Sequence, residues 1–325
     1  MNSIIALIFK EDVIYLVGYH KELSLAVDLV KHATKITEWF RSKKSLFFIK
    51  KDDSPVTLAD FASQIFIIST IKKYFPEDQI IAEEESSVFI NSDAENIIKR
   101  CYTSLNITFE ENLKETLNYR GFRSKRQWTV DPIDGTKGFQ KGLAYAIGMG
   151  FMVQAEPTIC AIGVPNYKNT SLTIFSAEKN HGAKVSYGDQ NFTKISVSNK
   201  NEIKKFRICH SLHYNEPWVL KFARSLGVSN FIPLDSMAKL CMVADGSSEL
   251  YIKPMNMQRS FTWDFLPGEL LVKEAGGMIT DIRGNPIQYV NDRCKITAPG
   301  LIASNGIRHD ELLSALKSND ILKNS

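Results

Sequence analysis

The sequence predicts a mixed α/β protein built from two lobes, and three observations carry that expectation. Apolar residues recur at helical spacing near the N-terminus, apolar runs of strand length follow, and beyond about residue 195 short strand-like and helix-like segments alternate. A chain of 325 residues is long enough for two packed lobes or one large domain. Its composition, 44% hydrophobic and 23% charged, is that of an ordinary globular protein.

Taken in order, Leu23, Ala26, Val27, Val30, Ile36 and Phe40 place a first helix over 23–40. The polar stretch from Lys50 through Asp53 and Ser54 to Pro55 reads as a hairpin or loop. Phe61, Ile65, Ile68, Ile71 and Phe75 mark a second helix, which Pro76 stops. Gln79–Ala82 reads as a buried strand that runs into Glu83, Glu84 and Glu85. The polar, weakly patterned segment 87–125 is expected to be a helical insertion over one edge of the functional site. Gln127–Val130, Tyr145–Val153 and Thr158–Val164 return to strand character. Alternation then continues through Phe206–Cys209, Pro217–Leu226 and Phe231–Pro233. The expected division is an N-terminal extension over 1–18, an α+β lobe over 19–195 and an α/β lobe over 196–325.

Charge and cysteines narrow the function classes. A net charge of +4 suits an enzyme that attracts anions, and equally a mixed solvated surface. The chain lacks the dense Lys/Arg stripe with interleaved aromatics expected of a nucleic-acid binder. Five dispersed cysteines with no CxxC pair point to free thiols in a reducing compartment. The apolar stretch Ile4–Phe9 is short and followed at once by Lys10, Glu11 and Asp12, so it reads as a strand or loose extension, not a signal peptide. No run approaches the ~20 apolar residues of a membrane-spanning helix. The expectation is a cytoplasmic, monomeric enzyme with no membrane or nucleic-acid partner.

The stretch from Trp128 to Phe139 is the most informative. A strand runs into two carboxylates three residues apart, Asp131 and Asp134, with Pro132 fixing the backbone between them and Gly135 permitting a sharp turn. That geometry can aim both carboxylates at one place, with the Ile133 carbonyl between them. Hard divalent cations take such oxygen ligands, and N–H groups beyond Gly135 would face a phosphate. Singly, each piece reads as ordinary structure. Asp-Pro and Asp-Gly are common turn dipeptides, three glutamates in a row are a solvated cluster, and Trp263-Asp264 alone says nothing. Together, carboxylates placed after two apolar strands are costly unless a cation compensates them. The residues themselves therefore lead to Mg²⁺-dependent phosphate chemistry and no further.

At these residues the chain resembles the inositol monophosphatase superfamily. The run Ser54-Pro55-Val56-Thr57-Leu58-Ala59-Asp60, then Ala82-Glu83-Glu84, then Asp131-Pro132-Ile133-Asp134-Gly135-Thr136, then Trp263-Asp264 and Glu274-Ala275-Gly276-Gly277 occur in that superfamily's order. The resemblance covers roughly residues 20–315. Lys137-Gly138-Phe139 and Leu234-Asp235-Ser236-Met237-Ala238-Lys239-Leu240-Cys241 are similar to its 3'(2'),5'-bisphosphate nucleotidase branch, as is the long spacing from Glu83 to Asp131. The resemblance implies a layered αβαβα sandwich. It also implies two or three Mg²⁺ ions held by Glu83, Asp131, the Ile133 carbonyl, Asp134 and Asp264. Asp60 and Thr136 would orient and activate the attacking water. Gly135, Thr136, His213, Ser236, Lys239, Lys253 and Asp264 would contact substrate, with the first lobe carrying the metals and the second completing the nucleotide site. Ala82, Glu85 and Lys253 stand where relatives carry Gly, Ser and Arg, and Lys does not offer the bidentate fork of Arg.

The activity so implied is lithium-sensitive hydrolysis of the 3'-phosphate of adenosine 3',5'-bisphosphate to AMP, with 3'-phosphoadenylyl sulfate as a second substrate. Two alternatives are an inositol polyphosphate 1-phosphatase and a catalytically silent anion-binding regulatory protein.

Overall fold

The computed structural model describes residues 18–43, 47–49, 55–85, 92–213, 217–254, 260–291 and 294–318. The expectations for Ile4–Phe9 and for Lys50–Ser54 lie outside the described residues. Helix α1 (His20–Ser42) buries Leu25, Ala26, Leu29, Val30, Ala33, Ile36 and Phe40, the one-sided pattern of an amphipathic helix. Strands β1 (Phe47–Ile49) and β2 (Pro55–Thr57) pair antiparallel on either side of the predicted polar turn. Helix α2 (Leu58–Tyr74) is buried almost all round and ends just before Phe75 and Pro76. Strand β3 (Gln79–Ala82) follows as predicted.

The segment between β3 and the next strand is helical, as α3 (Ser92–Ser104) and α4 (Leu113–Asn118). It packs chiefly on α2. Ile98, Cys101, Tyr102, Leu113 and Leu117 join the core around α1 and α2, and the Tyr102 hydroxyl donates to the Ala62 carbonyl of α2 at 2.6 Å. An apolar stripe on each short helix is satisfied there, so both cover α2; the Arg120 side chain beyond them reaches the loop after β3.

Strands β4 (Arg126–Asp134), β5 (Ala146–Val153), β6 (Glu156–Pro165), β7 (Leu172–Glu178), β8 (Gly182–Tyr187) and β9 (Thr193–Lys194) continue from β3 in sequence order as one seven-stranded sheet. Only the β3–β4 pair is parallel. Helix α5 (Thr136–Gln140) interrupts the meander between β4 and β5. The second sheet contains β10 (Arg207–His210), β11 (Asn230–Pro233), β12 (Leu250–Pro254), β13 (Met278–Asp281) and β14 (Gly300–Ser304), in the order β11-β10-β12-β14-β13. Helices α6 (Pro217–Ser225), α7 (Ala238–Ala244), α8 (Thr262–Glu274) and α9 (His309–Ser318) complete it.

Three apolar clusters define the layers. One joins α1 and α2 to one face of the seven-stranded sheet, through Trp128, Val130, Met149 and Phe151. The second fills the space between the sheets, where α7 and α8 lie with Leu240, Phe265, Leu266 and Leu271. The third packs α6 and α9 on the outer face of the second sheet. Strand periodicity sorts the residues: Ile208, Leu250 and Ile252 face outward, Cys209 and Tyr251 inward. The result is the layered αβαβα arrangement, mixed α/β as the sequence predicts. The first sheet ends at Lys194 and the second begins at Arg207. Helix α8 approaches β5 closely because Gly150 has no side chain; a Cβ there would stand 2.3 Å from Leu266 Cδ2. No helix among the described residues is long and apolar enough to cross a membrane.

Candidate metal centre and active site

The centre begins with a parity problem. Asp131 and Asp134 are three apart on β4, a spacing that in a regular strand sends side chains to opposite faces. The β4–β5 register breaks between them: Asp131 pairs with Gly148 and Asp134 with Ala146, so three steps on β4 match two on β5. This bulge, with Pro132 inside it, turns both carboxylates the same way. Gly135 then takes a left-handed conformation, φ 90° and ψ 41°, and α5 starts at Thr136.

Helix starts supply the other carboxylates. Asp60 lies in the first turn of α2 and is fully buried; its Oδ2 accepts from the Thr57 amide at 2.8 Å and the Thr57 hydroxyl at 2.6 Å. Asp264 occupies the same place in α8, where its Oδ2 accepts from the Phe261 amide at 3.0 Å. Asp134 Oδ2 accepts from the amide of Met237, the residue that caps α7. Three helix N-termini therefore meet three of the predicted carboxylates, and their partial positive charge offsets part of the acidity.

One oxygen from each of Asp131, Asp134 and Asp264 lies within 4.8 Å of the others, a set that could hold a metal ion. Asp131 is 2% exposed, and its Oδ1 is buried without a hydrogen-bond partner. Burial, followed by the charges of Glu83, Asp134 and Asp264, holds the Asp131 carboxyl well above the usual range. Burial also raises Asp134, although Lys253 and Lys239 pull it back. Asp264 is pushed up to about 6 by burial, against the nearby Lys253. Buried oxygens that repel one another, one of them without a donor, fit a hard divalent cation.

The remaining predicted residues are distributed as follows. Glu83 stands beside Asp131, its amide donating to the Val130 carbonyl at 3.2 Å. Glu84 is buried, with its backbone pinned at both ends by the Gln64 side chain at 2.7 and 2.8 Å. Glu85 is exposed. The Ile133 carbonyl accepts from the Thr136 hydroxyl at 3.2 Å. Helix α5, which carries Thr136, packs on β2, the strand that leads to Asp60. Ser236 faces Gly135: a Cβ on Gly135 would stand 3.2 Å from the Ser236 Cβ. Lys253 lies over the Phe265 ring at 4.5 Å and acts on both Asp134 and Asp264. Lys239 is 3% exposed and donates to the Leu234 carbonyl at 3.0 Å. Burial holds its ammonium down to about 8, with Asp134 opposing. His213 is drawn to Asp235, Nδ1 to Oδ2, and its Nε2 lies 2.8 Å from Lys141 Nζ.

Asp235 is part of the Leu234–Cys241 stretch but carries no role by sequence, and Lys141 is not marked by it at all. A signal existed for the first, because Asp235 lies two residues beyond β11 and opens the turn into α7. For Lys141 there was none, since its partner is 72 residues away.

A pH test of the centre follows from these shifts. A carboxyl whose folded value is raised from 3.8 to about 6 contributes stability that is full below the unfolded value and lost as pH rises through the folded one. Metal binding needs the ionised form. The rise in melting temperature caused by saturating Mg²⁺ is therefore expected to be larger at pH 7.5 than at pH 5. A Mg²⁺ shift independent of pH across that window would remove these carboxylates as ligands.

Comparison with known proteins places this geometry. Residues 20–320 match the profile described as the inositol monophosphatase family. A 3'(2'),5'-bisphosphate nucleotidase of Emericella nidulans is 29% identical over 347 residues, covering 92% of this chain and 98% of the relative. Another of that name, from Schizosaccharomyces pombe, is 30% identical over 327 residues, covering 88% and 92%. Among solved structures, an inositol monophosphatase from Thermotoga maritima superposes with a TM-score of 0.66 at 21% identity, over 92% of this chain and 97% of that one. One from Anabaena gives 0.65, also at 21%, over 94% and 99%. At that identity the structural likeness speaks for the fold alone.

Proposed function

The chain belongs to the inositol monophosphatase family, a family of metal-dependent phosphomonoesterases, and we propose that within it the chain removes the 3'-phosphate of adenosine 3',5'-bisphosphate, leaving AMP. The observation that supports this is the match, at 29–30% identity and about nine-tenths of the chain, to relatives named 3'(2'),5'-bisphosphate nucleotidase. The same chemistry extends to 3'-phosphoadenylyl sulfate.

In this reading Asp131, Asp134 and Asp264, with Glu83 and the Ile133 carbonyl, hold two or three Mg²⁺ ions. Bound there, the ions supply positive charge for the phosphate oxygens and lower the pKa of water. The chain's own groups do the rest. Asp60, fixed by Thr57, takes a proton from the attacking water, and the Thr136 hydroxyl orients that water. Gly135 and Thr136 border the reacting phosphate, and Ser236 and His213 border the nucleoside. Burial raises the Asp134 carboxyl, and Lys253 and Lys239 oppose that rise.

Phosphate release is the test, measured with adenosine 3',5'-bisphosphate, inositol 1,4-bisphosphate and inositol 1-phosphate, with Mg²⁺ or with excess chelator. The expected result is preference for the adenosine bisphosphate, loss of turnover on chelation, and inhibition by Li⁺. Preference for inositol 1,4-bisphosphate would replace the proposal with the inositol polyphosphate reading. Absence of release from every substrate would leave an anion-binding protein.

A further inference from the structure

Helix α2 carries Asp60 in its first turn, and Gln64 lies one turn further on, so both side chains leave the same face of the helix. Gln64 is fully buried, and its amide serves a single residue. Its Nε2 donates to the Glu84 carbonyl at 2.7 Å, and its Oε1 accepts the Glu84 amide at 2.8 Å. We infer that Gln64 is a positioning residue for the reaction: it ties Glu83 to the helix that bears Asp60, and so fixes the span between metal and base. This rests on the roles given to Glu83 and Asp60 above.

The need for such a tie follows from where the sheet ends. Strand β3 stops at Ala82, and beyond it the Glu83 amide still donates to the Val130 carbonyl of β4 at 3.2 Å. From there Glu83, Glu84 and Glu85 follow one another, and their mutual repulsion favours a chain that swings out into water. The Gln64 amide takes the place of a neighbouring strand, because it offers an acceptor and a donor side by side. It engages the N–H and the C=O of one residue, as a hydrogen-bonded antiparallel pair does. The Glu84 carbonyl accepts a second bond, from Arg120 Nη2 at 2.8 Å. Glu83 is therefore held by Val130 at its own amide and by the clamp on Glu84 just beyond, with its carboxyl against Asp131.

Only an amide does this work. A carboxylate at position 64 would face the Glu84 carbonyl with no proton to give, and a Leu would leave the Glu84 amide without its acceptor. In Gln64→Leu the Glu84 carbonyl keeps Arg120, so the loop is loosened and not lost. A group that holds a metal ligand in place is worth about 10–100-fold in metal affinity or activity.

The first test uses the full chain without substrate, and reads the Mg²⁺ concentration that gives half of the maximal rise in melting temperature. Gln64→Leu is expected to raise that concentration about tenfold, and Glu83→Gln at least as much. The double variant is expected to need no more Mg²⁺ than Glu83→Gln alone, because the tie acts through Glu83. Tyr102→Phe removes a different buried bond to α2, the one to the Ala62 carbonyl. It is expected to lower the melting temperature and leave the Mg²⁺ requirement unchanged, which separates positioning from stability. The second test is phosphate release at saturating Mg²⁺. There Gln64→Leu is expected to keep its KM and stay about tenfold low in kcat, since the span between metal and base remains loose. An unchanged Mg²⁺ requirement in Gln64→Leu beside a raised one in Glu83→Gln would overturn the inference and leave the metal reading intact. Full recovery of kcat at saturating Mg²⁺ would overturn it as well. An unchanged requirement in Glu83→Gln would remove Glu83 from the metal, and the inference with it.

Discussion

Asp134→Asn is expected to lower turnover by about a hundredfold or more at ordinary Mg²⁺, while the metal-free protein melts no lower than the natural one. The first half follows from charge. Losing one preorganised charge-stabilising group costs on the order of 10²–10³ in kcat, and Asn keeps the size of Asp134 while removing its charge. The second half follows from the neighbours. In the metal-free chain Asp134 sits among Asp131, Glu83 and Asp264, all of them repelling it. Neutralising it relieves that repulsion, and an Asn oxygen can still accept the Met237 amide that Asp134 Oδ2 accepts now. Lys239 and Lys253 lose a partner in exchange, which limits the gain. Turnover and melting temperature therefore move independently, and Mg²⁺ should raise the melting temperature of the variant less than that of the natural chain. Near-natural turnover would reduce Asp134 to a turn residue, and a large fall in metal-free stability would reassign it to holding α7 in place.

Much of the fold was legible because its signals are local. The one-sided stripe of α1 and the β-branched runs of β3 to β6 are patterns that a short window contains. Helix α8 was not readable that way. Apart from the half-buried Asp264 it is buried from Thr262 to Val272, and it carries Pro267 and Gly268 in its interior, so it shows neither a stripe nor helical propensity. Strands β7 and β8 escaped for another reason, since Lys179–His181 between them and the polar residues within them dilute the apolar run.

The centre divides in the same way. Pro132 and Gly135 announce a turn that carries Asp131 and Asp134, and the residues alone suffice to suspect it. Asp264 has no such announcement; it joins the others through the packing of α8 between the sheets, and only the resemblance pointed to it. Lysines are the least legible residues of all. Nothing in the sequence distinguishes Lys239, inside the fold, from Lys141, on its surface, because burial of a charge is decided by elements far apart in the chain.

Asp60→Asn separates chemistry from binding. The carboxylate holds α2 at its first turn, where Oδ2 takes both the amide and the hydroxyl of Thr57. An Asn oxygen can keep both bonds, so the helix start survives, and the loss of stability is expected to stay within the ~1 kcal/mol of a weakened cap. What Asn cannot do is take a proton. If Asp60 relieves the attacking water of its proton, kcat falls by about 10²–10⁴, the usual worth of a positioned base. KM for the bisphosphate changes little, because Asp60 is fully buried and has no surface to offer the nucleoside. Asp60→Ala is expected to lose the same chemistry and the cap as well, so its melting temperature falls where that of Asp60→Asn does not. Stopped-flow or steady-state phosphate release, read alongside melting curves for both variants, decides the matter. A rise in KM with kcat preserved would move Asp60 out of the chemistry, and equal melting losses in Asn and Ala would show that its charge, not its geometry, holds the start of α2.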